Sequence, residues 1–269
     1  MAISTYNYNS SLRIAKLFCI FFITVLLNAC VTTETGGFSK KADRDKALEA
    51  SITLARQYIS EQEWNQAKRH LKSALEINDK SAEVHEAMAL VFQNTGELER
   101  AEEHYKLAIH YDGSISRVRL NYAGFLMRLQ RCEEAIDELE IVVADTLYDN
   151  RQQAYVSLGY CYSNLGDLEK TEDSFKRAFL MSNRQSPALM FELADVYYKL
   201  NEYNNAQRYY DGFRAQVKRQ PPRALLLGAR LAKHFNNDDA LSSYGLALKN
   251  LYPNSQQYLD YQKELAHDD

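Results

Sequence analysis

The sequence predicts an all-α chain: a solenoid of six helix-turn-helix repeats followed by one more helix. Three observations predict it. Two series of small residues run through the chain in step, Ala55, Ala89, Ala123, Gly159, Ala194 and Gly228, then Ala67, Ala101, Ala135, Thr171, Ala206 and Ala240. Both series advance by 34, 34, 36, 35 and 34 residues. Each small residue is centred in an apolar pattern of helical period. The pattern is clearest at Val84, His85, Met88, Ala89 and Phe92, then Leu98, Ala101, Tyr105 and Ala108, with Asn94-Thr95-Gly96-Glu97 as the turn between. Finally, Pro187 and Pro221-Pro222 fall where repeats start, the one part of a helix that tolerates proline.

A small residue lets two helix backbones approach, and the large apolar residues around it fill the space between them. One such hairpin cannot bury its apolar face alone, so hairpins must stack. The period, with a Leu-Gly/Ala-x-x-Tyr core in the first helix and Ala-x-x-x-Tyr/Phe-x-x-Ala in the second, resembles the tetratricopeptide repeat, which implies a right-handed solenoid. The expected repeats fill residues 47–254, as 48–81, 82–115, 116–149, 152–185, 187–220 and 221–254. The extra length between the third and fourth falls in Asp145-Thr146-Leu147-Tyr148-Asp149-Asn150, where a longer loop costs little entropy. Residues 255–269 read as a capping helix and tail, with Tyr258, Tyr261 and Leu265 on the face that covers the last repeat.

The N-terminus reads differently. Arg13 and Lys16 precede an apolar run from Leu17 to Leu27, too short to span a bilayer and typical of an export signal. Leu27-Asn28-Ala29-Cys30 then resembles the lipobox of bacterial lipoproteins. That resemblance implies a signal peptide over 1–29, lipidation of Cys30 as the mature N-terminus, and, because Val31 rather than Asp follows, sorting to the outer membrane. An ordinary signal peptide cut nearby is the alternative. Residues 30–46 carry no helical periodicity and are expected to be the lipidated cysteine and a flexible tether.

Composition narrows the function. The chain is 46% hydrophobic and 25% charged with a net charge of −4 and no long basic run, which disfavours nucleic acid as a partner. No Gly-x-Ser-x-Gly, phosphate loop or His-Glu-x-x-His is present, and the histidines have no paired metal spacing. An enzyme is not expected, nor a cofactor, metal or small-molecule substrate. The first helices of such repeats should line a concave groove. There, Ile52, Ile59 and Leu90 are apolar at outward positions, beside Arg56, Glu83 and Glu86, so this part of the groove is the expected partner site. The glutamates would pair with basic groups of the partner and Arg56 with a carboxylate. Screening by the tether or by curvature is the bland alternative.

Cys132 opens the second helix of repeat 3, and Cys161 lies late in the first helix of repeat 4. Antiparallel neighbours would place both side chains at similar height, and an exported location permits a disulfide. The bridge would stabilise by about 3.5–4 kcal/mol in the loop-entropy model; two unpaired core thiols are the alternative.

Further stretches narrow the family: Leu120-Asn121-Tyr122-Ala123-Gly124-Phe125-Leu126, Leu225-Leu226-Leu227-Gly228-Ala229-Arg230-Leu231-Ala232, and Ser243-Tyr244-Gly245-Leu246-Ala247-Leu248-Lys249-Asn250-Leu251-Tyr252-Pro253. With the lipobox and repeats, they resemble the type IV pilus biogenesis lipoproteins, the pilotin family. The resemblance implies an outer-membrane lipoprotein facing the periplasm that helps the pilus secretin assemble, with the secretin and the membrane as its partners. The competing expectation is a periplasmic repeat adaptor that scaffolds cell-wall enzymes. One departure is that many relatives carry a cysteine just after Phe-Leu, where Met127 stands here.

Overall fold

The computed structural model describes residues 37–265, and their regular structure is helical throughout. The chain divides into two units, Met1–Glu49 and Ala50–Asp269. In the first, the described residues are the opening part of α1 (Gly37–Ser60). The expected signal peptide, Cys30 and the start of the tether lie outside the described residues. The end of the tether corrects expectation, because residues 37–46 are helical. Lys41, Asp43, Arg44, Asp45 and Lys46 are exposed, so this stretch has no apolar stripe for periodicity to detect. Alanine, lysine and arginine nevertheless favour the helix.

In the second unit, α1 pairs with α2 (Trp64–Ile77) to complete the first hairpin. The next are α3 (Ala82–Asn94) with α4 (Leu98–Tyr111), and α5 (Ser116–Arg128) with α6 (Cys132–Ala144). Then come α7 (Arg151–Leu165) with α8 (Leu168–Met181), α9 (Pro187–Lys199) with α10 (Tyr203–Gln216), and α11 (Pro222–His234) with α12 (Asp238–Leu251). Last is α13 (Gln256–Leu265).

All six hairpins turn by the same device. One residue at each turn has left-handed φ: Gln62 (61°), Gly96 (82°), Gln130 (60°), Gly166 (80°), Asn201 (61°) and Asn236 (54°). The amide of the next residue then reaches back five positions to a helical carbonyl: Glu63 to Tyr58 (2.8 Å), Glu97 to Phe92 (2.9 Å), Arg131 to Leu126 (3.0 Å), Asp167 to Tyr162 (3.0 Å), Glu202 to Tyr197 (2.9 Å) and Asn237 to Ala232 (2.8 Å). This Schellman-type closure satisfies a helix-end carbonyl and reverses the chain. Glycine takes the left-handed conformation freely, whereas Gln and Asn adopt it against a steric cost.

The turn also corrects the register of the last repeat. In the first five hairpins the left-handed residue lies seven positions after the small residue of the first helix; in the sixth, Asn236 lies seven after Ala229, not Gly228. Burial agrees. Around Ala89 the buried positions run from Val84 to Ala89, then Val91 and Phe92; around Ala229 they run from Ala224 to Ala229, then Leu231 and Ala232. Leu241, rather than Ala240, therefore occupies the small-residue position of α12. The sixth repeat starts one residue later than the 34-residue step suggests, with the extra residue at the Gln220-Pro221-Pro222 junction.

First helices of successive repeats approach closely at α3 with α5, α5 with α7, and α9 with α11, whereas the backbones of successive second helices stay farther apart and meet only through long side chains such as Phe179 and Tyr209. The stack therefore curves with the first helices on its inner, concave side. At its far end α13 packs on α11 and α12, as expected of a cap. Where earlier second helices bury Leu71, Tyr105, Leu139, Phe175 and Tyr210, α12 has Gly245. The Tyr261 ring lies against it, so close that a Cβ there would overlap the hydroxyl and ring carbons. Arg230 Nε donates to Glu264 at 2.7 Å, fastening the same helix. Tyr258 is half-buried; the side chain of Leu265, the third residue of the expected face, lies outside those described.

Gly245→Ala should therefore displace Tyr261 and lower stability by about 1–3 kcal/mol, the usual range for overpacking. In a chain truncated after Asn254, which itself should melt lower, the same substitution should cost almost nothing more. Thermal melts of the four combinations check this; equal costs in both backgrounds would refute the packing role of Tyr261.

Candidate partner-binding groove

The groove is built from one repeating inner row. The residues one place after the small residue of each first helix are Arg56, Leu90, Gly124, Tyr160, Asp195 and Arg230. Along the groove this reads cation, apolar, bare backbone, aromatic, anion, cation. A Cβ at Gly124 would meet nothing within 4 Å, so the helix backbone is open there. Tyr160 is 40% exposed, and its hydroxyl donates to Glu192 (3.3 Å). Arg223 binds the same glutamate at 3.4 Å and reaches Asp195 at 3.6 Å.

The residues expected from sequence divide into two groups. Arg56, Ile59, Glu83 and Leu90 reach the surface in part, Glu83 being the most exposed. Ile52 and Glu86 do not. Both lie three places before the small residue, a position filled in the other repeats by Leu120, Val156, Phe191 and Leu226. The first helix of the following repeat packs over this position. Ile52 is consequently core, and Glu86 is a carboxylate of zero exposure at a site that is otherwise apolar. The exposed apolar residue of repeat 1 is instead Leu54, 41% exposed, which sequence reading placed in the packing. Its counterparts Met88, Tyr122, Leu158 and Leu193 are covered by a preceding repeat, and within this unit Leu54 has none.

Glu86 cannot serve a partner because it is fully buried and already accepts from three side chains of the protein. Arg56 donates to Oε2 at 3.2 Å, Arg117 donates to the same oxygen, and Asn121 Nδ2 donates to Oε1 at 2.8 Å. Three consecutive first helices, α1, α3 and α5, are tied to one buried charge. Burial does not cancel the Glu86 charge: within the second unit Arg56, Arg117 and Arg128 stand against Glu83 and Glu86, an excess of one cation, and Arg128 is the arginine that meets a neutral amide, Gln93. Arg56 Nε is buried without a partner, and Gln93 accepts from both Tyr105 Oη (3.0 Å) and Arg128. The expectation that Glu86 pairs with basic groups of a partner is overturned; this half of the groove suits acidic ones.

Two pairs beneath the surface were read less fully. Cys132 and Cys161 are both buried and free, so the expected bridge is not formed in this structure. The thiols do meet: burial, then a hydrogen bond with Cys132, pushes the Cys161 pKa far up. Asn164 Nδ2 lies 3.6 Å from Cys132 Sγ. The histidine pair was missed. His85 Nε2 contacts the Asp79 carbonyl at 2.9 Å and must donate to it, leaving Nδ1 to accept from His104 Nδ1 at 2.9 Å. Their 19-residue separation gives no signal on one helix; only the hairpin brings them together. Burial first, and His85 second, lower the His104 pKa from 6.5 to about 4.

Among curated proteins, the type IV pilus assembly protein PilF of Pseudomonas aeruginosa is 40% identical over 246 residues, covering 91% of this chain and 97% of that protein. The chain belongs to the PilF family of type IV pilus assembly proteins. The solved structure of P. aeruginosa PilF superposes with a TM-score of 0.73 at 41% identity, covering 82% of this chain and 99% of that one. PilW, described as a widely conserved type IV pilus biogenesis factor, shares the fold with a TM-score of 0.65 at 24% identity, covering 79% and 97%. The tetratricopeptide-repeat family model matches residues 152–184 and 187–211, which fall in α7–α8 and α9–α10.

Two features of this PilF-family chain are testable. Glu86→Ala should cost about 2 kcal/mol by emptying the site. Glu86→Leu should remain within about 1 kcal/mol of the parent, because its arginines are partly exposed and rehydrate. Denaturant titration of both variants decides the matter, and equal losses would show that the charge itself stabilises. The second concerns pH. The folded His104 resists protonation that the unfolded chain accepts at 6.5, so its contribution is complete above that pH and is lost as pH falls towards 4. Glu97 and Glu102, held at about 2 by Lys68 and Arg131 respectively, lose theirs only below 4.5. His104→Gln should therefore flatten the stability profile chiefly between pH 6.5 and 4.5. An unchanged slope in chemical denaturation would contradict this.

Proposed function

We propose that this protein is a lipid-anchored pilotin of the outer membrane that holds a segment of the type IV pilus secretin in its concave groove and so supports secretin assembly. The observation that carries the reading is the 40% identity to a type IV pilus assembly protein over 91% of the chain. The anchor rests on Leu27-Asn28-Ala29-Cys30: a diacylated or triacylated Cys30 would insert enough methylene groups, at about 0.8 kcal/mol each, to remain bound. The chain would thus stand on the periplasmic face, its repeats free to capture a newly exported partner.

Capture uses the chemistry of the first three repeats. Ile59 and Leu90 offer apolar contact, extended by Leu54 at the uncovered edge of repeat 1, and Arg128 takes a carboxylate beside the partly exposed Arg56 and Arg117. Apolar anchors supply most of the affinity, and the charges set register and encounter rate. Leu54→Ser with Ile59→Ser should leave the fold intact, since Ala55 and Ile52 remain as core, and should weaken a secretin fragment by about 2 kcal/mol or more. Calorimetry with circular dichroism as the folding control measures this; full affinity in the folded double variant would refute the groove. In cells, Cys30→Ser should leave the membrane fraction or accumulate as precursor, and outer-membrane retention would refute the anchor. A pull-down from envelope extract should recover secretin, and recovery of cell-wall enzymes instead would overturn the assignment.

A further inference from the structure

A second surface lies on the outer side of the stack, away from the groove. A cleft of about 410 Å³ opens between α8 and α10, with Met190 of α9 at its floor. Its walls are apolar: Phe179 and Leu180 on one side and Tyr209 on the other. The aromatic wall is fixed, because Tyr209 stacks on Tyr197 at 5.5 Å and meets the edge of Phe179 at 5.8 Å. Gly212 makes the space: a Cβ there would lie 3.2 Å from the Met190 sulfur, so a larger residue would crowd the floor. Leu180 is 50% exposed at the rim, far more than a packing residue needs.

The charges at this cleft have one sign. Lys176, Arg184 and Arg208 line it, and no acidic residue does, in a chain whose net charge is −4. Lys176 is 3.1 Å from Glu172, which lies outside the lining and also accepts from Tyr197 Oη (2.5 Å). Arg184 and Arg208 have no carboxylate partner among the described residues; Arg208 lies over the Tyr209 ring, 5.0 Å from its centroid. Arg184 is set in place by backbone. It follows Asn183 in left-handed conformation (54° and 58°), and its amide donates to the Phe179 carbonyl at 3.1 Å. This turn carries the guanidinium to one end of the cleft while Arg208 stands on the facing helix.

We propose that this outer cleft binds an acidic segment of a protein partner, with one apolar side chain entering between Phe179, Met190 and Tyr209 and flanking carboxylates meeting Arg184 and Arg208. Charge complementarity commits the site to that occupant. A peptide suits it better than an anionic bilayer, because the cations of the cleft are gathered around one apolar recess, whereas the exposed helix surface beside it carries Asp173 and Asp211 paired with Arg177 and Arg214 and offers a continuous anionic surface no net cationic face. Arginine pairs bidentately with carboxylate and gives the segment a fixed register.

The test titrates the full chain, with methyl-labelled methionine, against a synthetic peptide alternating Glu and Leu and against its Lys counterpart. The acidic peptide should shift the Met190 methyl signal, assigned through Met190→Leu, while the basic one leaves it unmoved. Arg184→Glu with Arg208→Glu should weaken binding about tenfold at unchanged circular dichroism, and raised salt should weaken it in the parent. Arg184→Lys with Arg208→Lys should keep part of the affinity. Leu54→Ser with Ile59→Ser should bind the acidic peptide as the parent does, so failure of the groove and failure of this cleft read out separately. Equal shifts from both peptides, or full affinity in the charge-reversed variant, would overturn the proposal. So would phosphatidylglycerol vesicles moving the Met190 signal while the acidic peptide does not.

Discussion

Each hairpin of this protein carries an apolar face that only its neighbour can cover, and most of the particular features follow from that dependence. Position alone decides what the same kind of residue does. Leu193 is fully buried because a repeat precedes it, and Leu54, at the equivalent place, is 41% exposed because within its unit none does. Glu86 loses all contact with water because the next first helix lies over it, and it is tolerated only because Arg56, Arg117 and Asn121 converge on it. An unpaired carboxylate there would be prohibitive. The burial constraint thus commits two arginines of the groove to an internal anion.

The architecture was legible because its signal is repeated. Small residues at a fixed period mark six hairpins and the turn at Gly96, and the face of Tyr258, Tyr261 and Leu265 marks the helix after them. What escaped was information that is not periodic. At Leu227-Gly228 the sequence offers a better match to the repeat pattern than Gly228-Ala229, yet the turn at Asn236 shows that the second pair holds the position. Pattern ranks residue types, whereas the chain answers to where the backbone reverses. Residues 37–46 were missed for the complementary reason: a helix with no buried stripe has propensity but no periodicity.

The groove was legible in outline and misassigned in detail. The sequence located Arg56, Ile59, Glu83 and Leu90 on the first helices, and these are at the inner surface in part. It put Ile52 and Glu86 beside them because helical spacing within one repeat cannot say how far the next helix overlaps. The histidine pair and the outer cleft depend on residues that are remote in sequence, brought together by the hairpin in the first case and by stacking in the second. Arg184 and Arg208, on opposite sides of the α9 helix in sequence, are of this kind.

Gly245 and Tyr261 also limit how such an array can change its length. A repeat duplicated in the interior meets neighbours of the same shape on both sides. After the sixth repeat the surface is no longer of that shape: α12 has no large side chain at this position, and α13 supplies the Tyr261 ring from outside. A further hairpin added there would meet a hollow where its predecessors met a large apolar side chain. Growth of the solenoid by duplication is thus open within the stack and closed at this end, which makes the terminal helix a determinant of repeat number as well as a cover for the last one.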